Sequence, residues 1–201
     1  TTVYFLGTVH VLKPGLSWFD EEVKAAFDRS DELVMELPDG TGQDSQSVFS
    51  KLAMDQNGKT LRSKLDEEQR TIYETAMTEL GLSEATFDPF EPWAAAITMQ
   101  AIAMTKSGYQ PGSGAESVLT SAAKQTKKPI IGLETTEYQL GIFDGLQEEK
   151  QIAFLIDGAR DLDASNQALD ELVASWTVGD PDKLADLMNA SFTDRMLKDR
   201  L

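Results

Sequence analysis

Short apolar runs of strand length, each followed by a longer stretch with helical spacing, constrain the fold of this chain most. "TVYFL" near the start is β-branched and aromatic, a composition that suits a pleated, half-buried surface. After a loop with Pro14 and Gly15 comes "SWFDEEVKAAFDRS", in which Ser17 can cap a helix, acidic residues load the first turn, and Phe19, Val23, Ala26 and Phe27 share a face. "DELVMELPDG" reads as a second strand from its length and from the closing Pro38, Asp39 and Gly40. Strand, helix and strand in that order predict a βαβ unit.

From about residue 44 to residue 108 helical patterns dominate. In "DEEQRTIYETAMTELG", Ile72, Ala76 and Leu80 share a face and Gly81 stands where a helix stops. This region reads as a helical insert. The α/β pattern resumes with "GYQPGSGAESVL", a loop leading into a helix, and "KKPIIGLET", a third strand. Ile152, Leu155, Ile156, Ala159, Leu162, Leu169, Leu172, Val173 and Trp176 then mark one long amphipathic helix or two, with "TVGDPD" as a late break before "DPDKLADLMNA" and "SFTDRMLKDRL". The whole of 1–201 is therefore expected to be one α/β domain with a central, mainly parallel sheet, flanking helices and the helical insert.

Composition narrows the function. The 201 residues, 41% of them apolar, suffice for a core. Eighteen Lys and Arg against 34 Asp and Glu give a formal charge of −16, which repels phosphate backbones and anionic headgroups, so nucleic acid and membrane surfaces are unfavourable partners. The chain has no cysteine, which excludes disulfides, thiol nucleophiles and thiolate metal sites. No stretch reaches the roughly 20 apolar residues of a spanning helix. The opening "TTVYFLG" has no initiator Met, and leading residues are expected to have been removed.

Each expected strand delivers a titratable residue at or just past its C-terminal end: His10, the only histidine, then Glu36 and Glu134. Ligands of open parallel sheets bind at that edge, and one imidazole with two carboxylates is an ordinary acid/base or metal-ligand set. For each residue alone, a helix cap, an ion pair or a turn hydrogen bond is the favoured explanation. Glu116 in "GAESVL" is a further candidate, although an acid in a first helical turn is favoured by the helix dipole regardless. Trp93 and Met99 could line a groove, but apolar residues at helical spacing belong to a core far more often.

The segments "GTVHVL", "VMELP", "GAESVL" and "IIGLETTEYQL", in that order and followed by a long helix, resemble the TraB/GumN family, which includes the Tiki proteases and pheromone-shutdown proteins. The most specific parts are the Gly-x-x-His of Gly7 to His10 and the Gly-Leu-Glu-Thr of Gly132 to Thr135 with Gln139 following. The resemblance implies an α/β sheet like that of erythromycin-esterase and ChaN-like proteins, a bacterial periplasmic or secreted setting and, for the Tiki branch, a peptidase that uses manganese or cobalt. It implies that His10, Glu36 and Glu134 are catalytic and, with Glu116, metal-ligating. Gly7 and Thr8 would let the backbone turn tightly past the metal, or Gly7 would merely avoid a neighbouring helix.

Family members continue past the helix represented by "FTDRMLKDRL" into an Arg-Asn pair and a second Gly-x-x-His, so the chain is expected to be C-terminally incomplete and to hold an ion weakly. The resulting expectation is a metal-dependent hydrolase acting on peptides or small molecules. The alternative is a non-catalytic, pheromone-shutdown-like domain that binds a peptide or small ligand.

Overall fold

The computed structural model describes residues 1–38 and 43–191. In chain order its helices are α1 (Glu21–Arg29), α2 (Gln43–Leu52), α3 (Glu67–Glu79), α4 (Pro92–Lys106), α5 (Ala115–Thr126), α6 (Thr136–Asp144), α7 (Glu148–Arg160), α8 (Leu162–Thr177) and α9 (Pro181–Ser191). Asp39, Gly40 and the "FTDRMLKDRL" segment fall outside the described residues. Strands β1 (Leu33–Met35) and β2 (Ile130–Gly132) pair in parallel, with Leu33 opposite Ile130, Val34 opposite Ile131 and Met35 opposite Gly132. The fold is thus broadly α/β but mostly helical.

The expected central sheet is corrected by this arrangement: among the described residues the sheet has two strands, and "TVYFL" is not one of them. A strand-like composition becomes a strand only against a partner edge. Val3, Tyr4, Phe5 and Leu6 instead face solvent, Phe5 at 94% exposure. Thr1–Leu6 lines a cleft of about 840 Å³ with residues of α1 and β1.

The chain forms two compact units. The first comprises Thr1–Leu52 and Met104–Gly145. Its α1 begins after Asp20, three residues later than the Ser17 cap the sequence suggests. Phe19 stays outside the helix, where its ring meets Phe27 edge-on at 5.6 Å and 82°. The end of α1 is closed from a distance in sequence: the Lys128 ammonium donates to the Phe27 carbonyl at 2.7 Å and also to that of Ser30. This places a cation on the negative end of the helix dipole.

The second unit joins Ala53–Ala103 to the segment beginning at Leu146. Asp66 and Gln69 form a capping box at the start of α3. At its other end Gly81, at φ +69°, donates to Thr78 O, and Leu82 to Met77 O, both at 2.9 Å. These are the paired bonds of a Schellman stop, as the sequence predicts. Tyr73, Ala76 and Met77 from α3, Ala95, Ala96 and Met99 from α4, and Leu155 and Ile156 from α7 form its core. Trp93 and Met99 are core residues, at 0% and 1% exposure. The long amphipathic stretch breaks at Asp161, whose side chain accepts from Ala164 N at 2.7 Å and caps α8. One buried ammonium braces this unit: Lys64 Nζ faces Asp55 at 2.5 Å, Glu148 at 2.9 Å and Glu91 at 3.2 Å.

Candidate active site

The His10 segment is fixed by its neighbours in sequence. Val9 and Leu12 are buried, Ala115 N donates to Val9 O and Gln110 N to Leu12 O, each at 3.0 Å. These anchors leave the imidazole outside, its side chain 76% exposed. The backbone of His10 passes so close to Gly114 that a Cβ there would overlap the His10 carbonyl. Gly114, at the N-cap position of α5, therefore admits the His10 backbone to the start of that helix.

The first turn of α5 then presents Glu116. Its Oε1 accepts from His10 Nδ1 at 2.9 Å and from the Thr8 hydroxyl. Its Oε2 is buried without a hydrogen-bond partner among the described residues. Burial would raise the Glu116 pKa, but the bonds from His10, Thr8 and its own backbone N–H outweigh that and lower it. The His10 pKa is raised by the hydrogen bond to Glu116, against an opposing effect of burial and with help from the charges of Glu116 and Glu36. With Nδ1 committed to the carboxylate, Nε2 carries the lone pair of the neutral ring.

The two strands build the other half. Their backbone pairing continues past the strand ends, with Leu133 N donating to Met35 O and Glu134 N to Glu36 O, both at 2.9 Å. Glu36 and Glu134 are thereby set side by side. Gly132 is required here because a Cβ would overlap the Pro38 ring. Thr135 caps α6, its hydroxyl accepting from Tyr138 N at 3.1 Å. Gln139, one turn into that helix, reaches back over the strand ends, where its Nε2 donates to Glu134 Oε2 at 3.1 Å and to Glu36 Oε1. A bond of 2.9 Å between Ser45 and Thr136 ties α2 to the start of α6.

The four candidates read from the sequence thus fall into two pairs, His10 with Glu116 and Glu36 with Glu134, and the charge of Glu36 reaches His10. Sequence reasoning missed the side-chain roles of Thr8 and Gln139. The signal for Gln139 was a cap residue after Glu134, which starts a helix at the strand end and turns its first residues back across it. Gly7 has no atom within 4 Å of where a Cβ would stand, so it avoids no neighbouring helix.

Imidazole and carboxylate oxygen are suitable donors for a hard divalent ion. However, among the described residues no three His, Asp or Glu side chains gather into a group that could hold one. The four candidates therefore stand as two pairs and not as one ligand group among the described residues.

The candidate site thus holds a carboxylate-backed histidine and two carboxylates at the ends of a parallel strand pair. By sequence the chain belongs to the TraB/PrgY/gumN family, whose family model matches residues 1–201. It is 25% identical over 178 residues to the uncharacterized protein YbaP of Escherichia coli K12, a match that covers 89% of this chain and 65% of YbaP, and equally to YbaP of Shigella flexneri. An uncharacterized protein of Treponema pallidum is 26% identical over 160 residues, covering 77% of this chain and 46% of that protein. The chain therefore spans less than two thirds of the length of the curated relatives it matches. No solved structure matches it. Among the described residues no helix is long and apolar enough to cross a membrane.

Proposed function

We propose that this chain carries the acid/base half of a hydrolase that cleaves peptide bonds, with His10 as the base. The supporting observation is the 2.9 Å bond between Glu116 Oε1 and His10 Nδ1 on an exposed ring. A base needs one ring nitrogen held in a fixed tautomer and the other open to its proton donor. Glu116 supplies the first condition and exposure the second. Thr8, on the same carboxylate oxygen, restrains Glu116 as Glu116 restrains the ring.

In this mechanism His10 Nε2 takes a proton from a water whose oxygen attacks the carbonyl carbon. The C–N bond then breaks as the same proton passes from Nε2 to the departing nitrogen. Glu116 stabilises the intervening imidazolium, and the charge of Glu36 adds to that effect. The family resemblance to Tiki proteases favours a peptide over an ester. A divalent ion, manganese or cobalt by that resemblance, would draw its ligands from His10, Glu36, Glu116 and Glu134 and would supply Lewis-acid polarisation of the carbonyl.

A second function, binding without cleavage, is favoured by the cleft of about 840 Å³ beside Thr1–Leu6. The experiment that separates the two is incubation with a peptide library and measurement of new amino termini. Cleavage by the wild type and none by His10→Ala supports the hydrolase. Retention of peptides without cleavage, unchanged in His10→Ala, supports the binder.

A further inference from the structure

Two loops diverge from one point near His10 and enclose a cavity between them. The point is the backbone bond from Gln110 N to Leu12 O, at 3.0 Å. Past it the chain runs on one side through Gly15 to Phe19, and on the other through the turn Pro111–Ser113 to the start of α5. Together they line a cavity of about 360 Å³. That volume is at the lower end of small-ligand sites, about 300–1,000 Å³, and suits one or two residues of a peptide. Trp18, Phe19 and Val118 supply apolar walls, with the two rings 5.6 Å apart between centroids. Lys13, Ser17 and Ser113 bring polar atoms, and the Lys13 ammonium stands 4.9 Å from the Tyr109 ring centroid, whose attraction positions it. Among the described residues no Asp or Glu lines this cavity, in a chain of formal charge −16. The larger cleft, by contrast, is lined by Glu22, Asp31 and Glu32 with Arg29. A cation in an apolar cavity without acidic lining selects an anionic group on an apolar ligand.

We propose that this cavity receives the C-terminal residue of a peptide, with its α-carboxylate on the Lys13 ammonium and its apolar side chain against Trp18 and Phe19. Carboxylate and ammonium form the stronger, charge-assisted kind of hydrogen bond, and a peptide carries that carboxylate at a fixed distance from its last amide bonds. The cavity adjoins the candidate base. Lys13 follows His10 by three residues, at most about 11 Å of chain, and Gly112 and Ser113 lead directly into Gly114, against which the His10 carbonyl packs. A peptide seated by its carboxylate therefore brings an amide bond near its C-terminus toward the imidazole. The inference rests on reading His10 as the base and names the substrate class for it, a peptide with a free, apolar C-terminal residue; occupancy of the cavity is tested without cleavage.

The probe is the tripeptide alanyl-alanyl-phenylalanine, as free acid and as C-terminal amide, titrated by calorimetry into His10→Ala, which lacks the base and leaves binding as the only event. Inorganic phosphate is a third titrant. The acid is expected to bind with a dissociation constant at least about tenfold below that of the amide, the effect of one charge-assisted hydrogen bond. Lys13→Met in the same background keeps the bulk of the side chain and should bring the acid to the level of the amide. Gly112→Leu should abolish binding of both forms: no atom lies within 4 Å of a Cβ there, so the fold accepts the new side chain, which occupies the cavity that Gly112 lines. Circular dichroism confirms that both variants fold. Equal binding of acid and amide, no binding of either, or a preference for the acid that survives Lys13→Met would overturn the proposal, as would binding that Gly112→Leu leaves intact. Phosphate binding as tightly as the acid would overturn it too, by showing a simple anion site. Failure of His10→Ala to change cleavage of the peptide library would instead count against the hydrolase and leave these titrations unaffected.

Discussion

His10 Nδ1 and Glu116 Oε1 lie 2.9 Å apart, joined by an α5 that starts where Gly114 lets the His10 backbone approach. The carboxylate favours the charged ring, so the imidazole titrates above its ordinary 6.5. Because the folded value is raised, the stability contribution is fully present below 6.5 and is lost as pH rises through the folded value. Glu116→Gln keeps an acceptor and removes the charge, and it is expected to lower the His10 pKa. Thr8→Val frees Oε1 for the ring alone and should leave the pKa raised. Since the chain has one histidine, its imidazole resonance can be followed by NMR through a pH titration without assignment, and an unchanged value in Glu116→Gln would contradict this coupling.

Gly114→Ala should displace His10, because the new Cβ overlaps the His10 carbonyl. The expected cost is about 1–3 kcal/mol of stability, as for other overpacked sites. Activity should fall further, about 100-fold, since misplacing a catalytic group by about 1 Å has that effect. Chemical denaturation and steady-state rates check the two parts separately.

In the second unit, Lys64 is 1% exposed and faces three carboxylates. Lys64→Met leaves the buried Asp55 carboxylate without its cation, and about 3–5 kcal/mol should be lost. Burial acts to raise the Asp55 pKa, but Lys64 and the amides of Asn57 and Lys59 overcome it and hold the value below the ordinary 3.8. With a depressed folded value, the contribution is present above 3.8 and disappears as pH falls through the folded value. Wild-type stability should therefore drop in acid more steeply than that of Lys64→Met, as read by urea titrations across the acid range.

The second unit was the more legible part of the sequence because its signals are local. Gly81 and the "TVGDPD" break each act within one helical turn, and the periodicity of Ile152 to Trp176 gives the buried face directly, while the Asp161 cap that divides that stretch was not read from the sequence. The sheet was less legible because pairing is non-local: "TVYFL" has strand composition, yet a strand also needs an open edge, which β1 and β2 supply to each other. At the site, the types and chain positions of His10, Glu36, Glu116 and Glu134 were legible. Their division into two pairs was not, since it depends on which oxygen Thr8 and Gln139 reach.

Gly81→Ala provides a local control. No atom lies within 4 Å of the new Cβ, so the whole effect comes from φ +69°. A left-handed residue with a Cβ costs about 1 kcal/mol. Thermal unfolding should show that loss with cleavage unchanged.

The sharpest single measurement is kcat/KM for cleavage of one peptide, chosen from the library, by His10→Ala and wild type at the same pH. A lost general base predicts a fall of about 10²–10⁴-fold, with folding unchanged because the His10 side chain is mostly exposed. Equal rates for the two proteins would contradict the assignment of His10 as the base.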